Sequence, residues 1–452
     1  MVLRKLRASL PAPAFPRVLF SRGHKTGLST TAWIDGVRGL AALIVTLNHM
    51  LFVEIDTSIH GYHGYHAAPA ADNTSLLQLP PLRLLFAMHA MVPLFFVISG
   101  YCLSLSSIRR RHDPSALLAT LSSAVFRRAT RLLLPLLAIT LVSQALLYLG
   151  AYSWGWWDNA WALSLADPST PSPAREHLAF LLDYLDGVAD AILTGLSATA
   201  PPGLNPQLWT IPAEFRGSLV VYLCLLGTAL LRSGPRAGVL VGIGGLFLVR
   251  GTWDLAAFVG GLVVAELELA RRRCAKGGII GEERAETGTR VGAVALWVVG
   301  VYLLCTPAAK EEEAFSPLYA VLGPLTPGTW IRAGGMDIAL ACWRSVGGVA
   351  FVGALSMARG LRRPFEVPAV QYFGKISFML YLVHQLVIRT LMRRLRVVVE
   401  VFVSFRREGL VTFFTASGTL VVMFWVSEIL VEVLDKRSVT LAKRLLEKWS
   451  AR

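Results

Sequence analysis

Arg38 and His49 bracket the stretch RGLAALIVTLNH, which is otherwise apolar and helix-forming. Arginine binds anions and histidine moves protons near neutral pH, so the pair has the makings of acid–base chemistry beside an anionic group. On a helix their eleven-residue interval rises roughly 16 Å. That is too far for contact, but it is about half of a bilayer's hydrocarbon core. Further titratable residues sit in apolar runs: His89, Glu214 in LWTIPAEFRGS, Arg344, and His384 in ISFMLYLVHQ. Inside a bilayer such groups are costly and mark functional sites by default. A basic cluster, FRRATRLLLP, carries Arg127, Arg128 and Arg131 at what reads as a helix start. Guanidinium groups there suit phosphate capture through bidentate contacts.

Each of these residues also has a plainer reading. An intramembrane histidine can simply hydrogen-bond a neighbouring helix. That reading leads for His89 and is balanced for His384, while the spacing to Arg38 favours function for His49. Glu214 could be the structural partner of Arg344 or Arg216. The arginine cluster could be ordinary charge on the cytosolic side of a span. Phe95 and Phe96, ahead of Ser99, Gly100 and Tyr101, read mostly as helix packing, with Gly100 allowing a backbone or a ligand chain to approach closely.

Composition supports the membrane setting these readings need. Of 452 residues, 54% are hydrophobic and only 16% are charged, against about a quarter charged in soluble domains. The net charge of +15 does not point to nucleic acid. The basic residues lie in short loops between apolar runs, as the positive-inside rule expects. Cys102, Cys224, Cys274, Cys305 and Cys342 show neither metal-ligand spacing nor a disulfide framework.

The apolar runs predict an all-α polytopic membrane protein with about ten spanning helices, near 33–53, 84–106, 131–150, 208–231, 237–250, 253–270, 291–306, 338–358, 372–391 and 409–434. The fifth and seventh are short. An even count puts both termini on one side. Arg109, Arg110, Arg111, Arg127 and Arg128 after the second run make that side cytosolic, as do Arg271, Arg272, Arg273 and Lys276 after the sixth. The domain layout is then a basic tail over 1–32, a transmembrane domain over 33–435 and a basic C-terminal tail over 436–452. Residues 151–206 form a long lumenal loop expected to fold over the bundle mouth. Arg393, Arg394, Arg396, Arg406 and Arg407 fall on the wrong side of this scheme, and an interfacial segment over 395–403 would account for them. The first tail lacks acidic residues, as a mitochondrial transit peptide would. Pro11, Pro13 and Pro16 favour a disordered cytosolic tail instead, and with it an endomembrane such as the endoplasmic reticulum. No internal repeat is legible, which weighs against a transporter.

The segments DGVRGLAALIVTLNH, PLFFVISGYCLS, RRATRLLLP, LWTIPAEFRGS and ISFMLYLVHQ, in that order, resemble the membrane acyltransferase-3 family, with the flavour of its filamentous-fungal members. The resemblance spans roughly Trp33 to Leu434. It implies a bundle of about ten helices that moves an acyl group, often acetyl, from coenzyme A to a hydroxyl. By that resemblance Arg38 and His49 match the family's essential pair, Arg128 and Arg131 its arginines after the second helix, Glu214 its acidic position and His384 its late histidine. His89 departs from the family, where many relatives carry glycine. The resulting expectation is an acyl-CoA-dependent O-acyltransferase with no metal and no permanently bound cofactor. His49 is its general base, Glu214 orients the imidazole, and Arg38 and His384 complete the catalytic set. Arg127, Arg128, Arg131, Ser99 and Tyr101 contact the acyl-CoA. A small hydroxylated secondary metabolite is the preferred acceptor over a glycan or lipid. The rival class is a proton-coupled transporter using the same groups as a relay.

Overall fold

The computed structural model describes residues 31–52, 74–152, 173–195, 204–276, 282–307, 315–403 and 407–449. Among them the regular structure is entirely helical, with no strand. Most of the first tail therefore lies outside the described residues. Six helices are long and apolar enough to cross a membrane: Ala32–Leu51, Met88–Arg110, Pro114–Tyr148, Pro206–Gly227, Gly328–Met357 and Glu408–Trp449. Two shorter apolar helices, Ser233–Val249 and Arg290–Leu304, coincide with the expected short fifth and seventh runs.

The chain divides into two compact units. The first holds residues 30–125 and 217–367, and the second holds residues 1–29, 126–216 and 368–452.

In the first unit, α1 (Ala32–Leu47) ends in a π turn at Asn48–Phe52. It packs on α2 (Met88–Arg110). The helix α3 (Pro114–Tyr148) starts in this unit and continues into the second, while α5 (Thr210–Gly227) enters it at Gly217. Then come α6 (Ser233–Val249), α7 (Trp253–Lys276), α8 (Glu282–Leu304) and α9 (Gly328–Met357). The unit is built around α7, which packs against α2, α6 and α9. Its Ala257, Phe258, Val259, Leu262 and Ala265 are fully buried. Small residues let α2 and α7 meet backbone to backbone. A Cβ at Gly100 would strike the Phe258 carbonyl, and one at Gly261 the Val97 carbonyl. Close approach of this kind drives association where lipid removes the hydrophobic term. Phe96 stacks on both Trp253 and Phe258, with centroids 5.8 and 5.1 Å away.

Because α7 is sheathed by its neighbours, it can carry charge. Glu266 binds Arg111, and Arg236 lies 3.4 Å from it. Glu268 accepts from Tyr101 and Arg272 and also faces Arg362 at 3.6 Å. Arg362 in turn lies over the Trp33 ring at 5.1 Å. Helix α9 begins ten residues earlier than the expected run at 338, because it continues across a break at Gly334 and Gly335. At Gly335 φ is +70°, a conformation glycine adopts without steric cost.

The second unit contains α3 from Phe126 onward, α4 (Ala174–Leu193), the first residues of α5, and α10 (Pro368–Val387). It closes with α11 (Arg393–Phe402), α12 (Glu408–Leu430) and α13 (Lys436–Trp449). The sequence reading placed Arg127 and Arg128 in a loop and began a helix near 131. In the structure one helix of 35 residues runs through them, about 52 Å long at 1.5 Å per residue. The Asp113 carboxylate opens it, accepting from the Ser115 and Ala116 amides at 3.0 and 3.1 Å, with Pro114 as the first helical residue. Alanine, leucine and arginine all favour helix, so basic charge did not mark a loop here.

The expected lumenal loop, 151–206, includes α4. The expected basic C-terminal tail is helical through Trp449, whose ring meets Phe126 edge-on at 6.1 Å. The interfacial segment expected at 395–403 is α11, which leaves Val397, Val398, Val401 and Phe402 exposed while Arg396 binds Glu400 and Glu408.

Gly100→Val should lower the thermal stability of the detergent-purified protein by about 2 kcal/mol, the usual cost of overpacking a tight contact. Gly242→Ala, where an added Cβ meets nothing within 4 Å, should stay within about 0.5 kcal/mol of the parent. Melting curves of the two variants check this.

Candidate active site

On α1 the helix lattice is interrupted where the chemistry was expected. Single π turns gather at functional sites, and of the three among the described residues the one at Asn48–Phe52, which closes the described part of α1, contains His49. Three side chains stitch it to the preceding turn. Thr46 Oγ1 donates to the Ala42 carbonyl at 2.9 Å, Asn48 Nδ2 to that of Ile44 at 2.8 Å, and His49 Nδ1 lies 3.0 Å from the Val45 carbonyl. Asn48 Nδ2 also donates to the Leu85 carbonyl at 3.1 Å. A carbonyl oxygen only accepts, so Nδ1 carries the proton and the neutral ring keeps its lone pair on Nε2. That is the tautomer of a general base. The imidazole is half-buried.

Arg38, three turns back along α1, makes a long 3.9 Å pair with Asp35, both partly solvated. Screening makes such a pair weak, so the guanidinium can take an anion.

His89 lies within electrostatic reach of His49, Arg83 and Arg344. Arg344 was a candidate counter-ion for Glu214. In the structure it donates to the Pro307 and Thr306 carbonyls at 2.7 and 3.2 Å, and Arg83 donates to the Cys305 carbonyl at 2.8 Å. Both cations therefore cap the carboxyl end of α8, where the helix dipole favours positive charge. Ser99 is half-buried on α2. Tyr101, expected to contact acyl-CoA, is buried with its hydroxyl on Glu268 and its ring 5.8 Å from Trp33. The close approach that Gly100 allows is made by α7.

The second unit gathers the other half of the expected residues. Glu214 forms an ion pair with Arg128. It was expected to orient the histidine, and its carboxylate is engaged by Arg128 of the basic cluster. Arg131 makes a two-pronged pair with Asp435, at 2.8 and 3.1 Å, and lies over the Phe378 ring at 5.7 Å. Arg127 is half-buried on the same helix. His384 is fully buried, with Nδ1 2.8 Å from the Tyr381 carbonyl, which again places the lone pair on Nε2. The Tyr381 hydroxyl is 3.1 Å from Thr210 Oγ1 and 3.2 Å from the Gln207 carbonyl, and it feels the charge of Glu214.

Sequence reasoning missed Asp435, Phe378, Glu266 and Glu268. Asp435 had a visible signal, as an acid where the last apolar run meets Lys436 and Arg437. Among the described residues, no group of three His, Cys, Asp or Glu could hold a metal ion.

The family model described as an acyltransferase domain matches residues 31–431. The chain belongs to this family, and it is an enzyme that transfers acyl groups in a setting of membrane-spanning helices. It is 27% identical over 398 residues to "Acyltransferase clz18" of Cochliobolus lunatus, covering 78% of this chain and 82% of that relative. It is 26% identical over 446 residues to "O-acetyltransferase PaAT-1" of Phomopsis amygdali, covering 94% and 85%. "Acyltransferase R4" of a Phoma species is 26% identical, covering 79% and 82%. No solved structure matches the chain.

The Arg128–Glu214 pair is 14% and 19% exposed, so removing one charge takes an ion-pair partner from the other where solvent offers little replacement. Arg128→Ala and Glu214→Ala should each destabilise the protein by about 3 kcal/mol. The double variant should cost clearly less than their sum, as a double-mutant cycle of melting curves will show.

Proposed function

We propose that the chain is an acyl-CoA-dependent O-acyltransferase, with acetyl as the preferred group, acting on a hydroxyl of a small metabolite. One observation carries the reading: the bond from His49 Nδ1 to the Val45 carbonyl, which leaves Nε2 as the basic nitrogen. His49 Nε2 takes the proton of the acceptor hydroxyl as its oxygen attacks the thioester carbonyl. The carbon–sulfur bond then breaks, and the imidazolium returns the proton to the departing thiolate. The products are the ester and the free thiol of coenzyme A.

Arg38 and His49, roughly 16 Å apart along α1, serve the thioester end of the co-substrate. Arg127, Arg128 and Arg131 take the coenzyme A phosphates. The pairs with Glu214 and Asp435 hold Arg128 and Arg131 in place. His384 supports the site through its fixed tautomer. About ten spans, cytosolic termini and an endomembrane location complete the reading, resting on the apolar runs and the loop charges. The printed name of PaAT-1 supports O-acetyl transfer, while the small metabolite, rather than a glycan or lipid, rests on the resemblance of the sequence to fungal members of the family.

Purified protein given acetyl-CoA and a metabolite extract from a strain lacking the gene should release free thiol and add one acetyl mass to one compound. His49→Ala should reduce this at least about 100-fold, the lower range for losing a general base, without altering the melting curve. Full activity would remove His49 from the mechanism, and an intact thioester with wild-type protein would favour a transporter. Arg128→Lys with Arg131→Lys keeps the charges but loses the planar fork. The double change should raise KM for acetyl-CoA about tenfold with kcat nearly unchanged, the pattern of lost ground-state binding.

A further inference from the structure

The arginines after the ninth apolar run have no place in the acyl-transfer chemistry, and their charge runs against the positive-inside pattern. In the second unit they lie on or beside α11, which follows α10 through the π turn Ile388–Met392. The inner side of α11 meets α12, where a Cβ at Gly418 would strike Leu395. Its own charges are drawn to the protein. Arg396 pairs with Glu400 at 2.9 Å and with Glu408 at the start of α12, and the Glu400 side chain is only 19% exposed. The outer face carries Val397, Val398, Val401 and Phe402, the last two 77 and 83% exposed. Four-residue spacing puts them on one stripe. A helix with its glutamate turned inward and its valines outward reverses the amphipathic helix of a soluble protein. The medium that suits such a face is hydrocarbon.

One turn back on the same stripe stand Arg393 and Arg394, four residues before Val397 and Val398, and both are exposed. Arg394 Nη2 donates to the Gly150 carbonyl at 3.3 Å, which ties the stripe to the end of α3, where Tyr148 and Leu149 are exposed as well. Phe413 and Phe414 on α12 are also exposed. An arginine at the end of an apolar face lays its stem along that face and carries the guanidinium to the headgroup layer. Two guanidinium groups there match a phosphodiester in charge and in fork geometry.

We propose that the outer face of α11 binds a phospholipid of net negative charge, its phosphate on Arg393 and Arg394 and its acyl chains along Val397, Val398, Val401 and Phe402. A zwitterionic lipid brings the same chains, but its ammonium offsets the phosphate and it gains less from the arginines. A soluble phosphate ester brings the charge and leaves the apolar stripe uncovered. The site concerns the bilayer around the second unit and is independent of how the acyl group is transferred.

The test uses full-length protein in maltoside detergent and native mass spectrometry, with dioleoyl phosphatidylglycerol and dioleoyl phosphatidylcholine titrated separately. The first phosphatidylglycerol should bind about thirtyfold more weakly to Arg393→Gln with Arg394→Gln than to wild type, about fivefold for each arginine. Phosphatidylcholine should bind the two proteins alike. Val401→Ser with Phe402→Ser should weaken both lipids. Arg109→Gln with Arg110→Gln, an exposed pair on α2, should leave the tight phosphatidylglycerol in place. Arg393→Gln alone keeps the bond from Arg394 to Gly150 and takes over, with its fivefold loss, where the double variant does not fold.

Equal phosphatidylglycerol affinity in wild type and the folded arginine variant would overturn the site, as would an equal loss in the α2 pair. Displacement of the lipid by glycerol phosphate at equal concentration would also overturn it, because the headgroup alone would then suffice. So would a dimer that the Val401 and Phe402 changes dissolve, because a second copy would then cover the face.

Discussion

Hydrocarbon supplies no hydrogen bonds, so a charged or polar group on a spanning helix must be answered within the protein. Much of the structure follows from this demand. In the first unit the two glutamates of α7 draw in Arg111, Arg236, Arg272 and Arg362 together with the Tyr101 hydroxyl. In the second, Glu214 and Asp435 answer Arg128 and Arg131. Arg83 and Arg344 are answered by carbonyls at the end of α8. For each of these arginines the partner says more about its role than its position does.

The same demand explains what could be read in the sequence. Long apolar runs report directly on helices, and the short runs near 237–250 and 291–306 correspond to two short apolar helices. The motif around Arg38 and His49 was legible because an arginine and a histidine have few reasons to occupy an apolar stretch. The length of α3 was not, since a run of arginines serves a cytosolic loop and a helix equally well. What settles the choice is the Asp113 cap, which lies outside the apolar pattern. The early start of α9 was hidden for a similar reason, because the helix resumes across two glycines whose usual meaning is a stop.

Partner identity was the least legible feature. Glu214 had Arg344, Arg216 and a histidine as candidates, and depth along a helix could not rank them. Its partner, Arg128, comes from a helix that the charge pattern had treated as a loop at that point. Asp435 was passed over because it sits at the end of the last apolar run, although its pair with Arg131 fastens the C-terminal segment to α3.

The π turn in α1 has one more implication, which concerns evolution by insertion and deletion. Such a turn takes in one residue beyond the regular repeat, and each residue of an α-helix advances the azimuth by about 100°. Losing any single residue from Asn48–Phe52 would relax this turn to an ordinary winding while swinging His49 and its neighbours to a different compass bearing from the rest of α1. Substitutions in this stretch can be conservative. Changes of length cannot, and drift among descendants of this gene should spare its residue count even where it rewrites its letters.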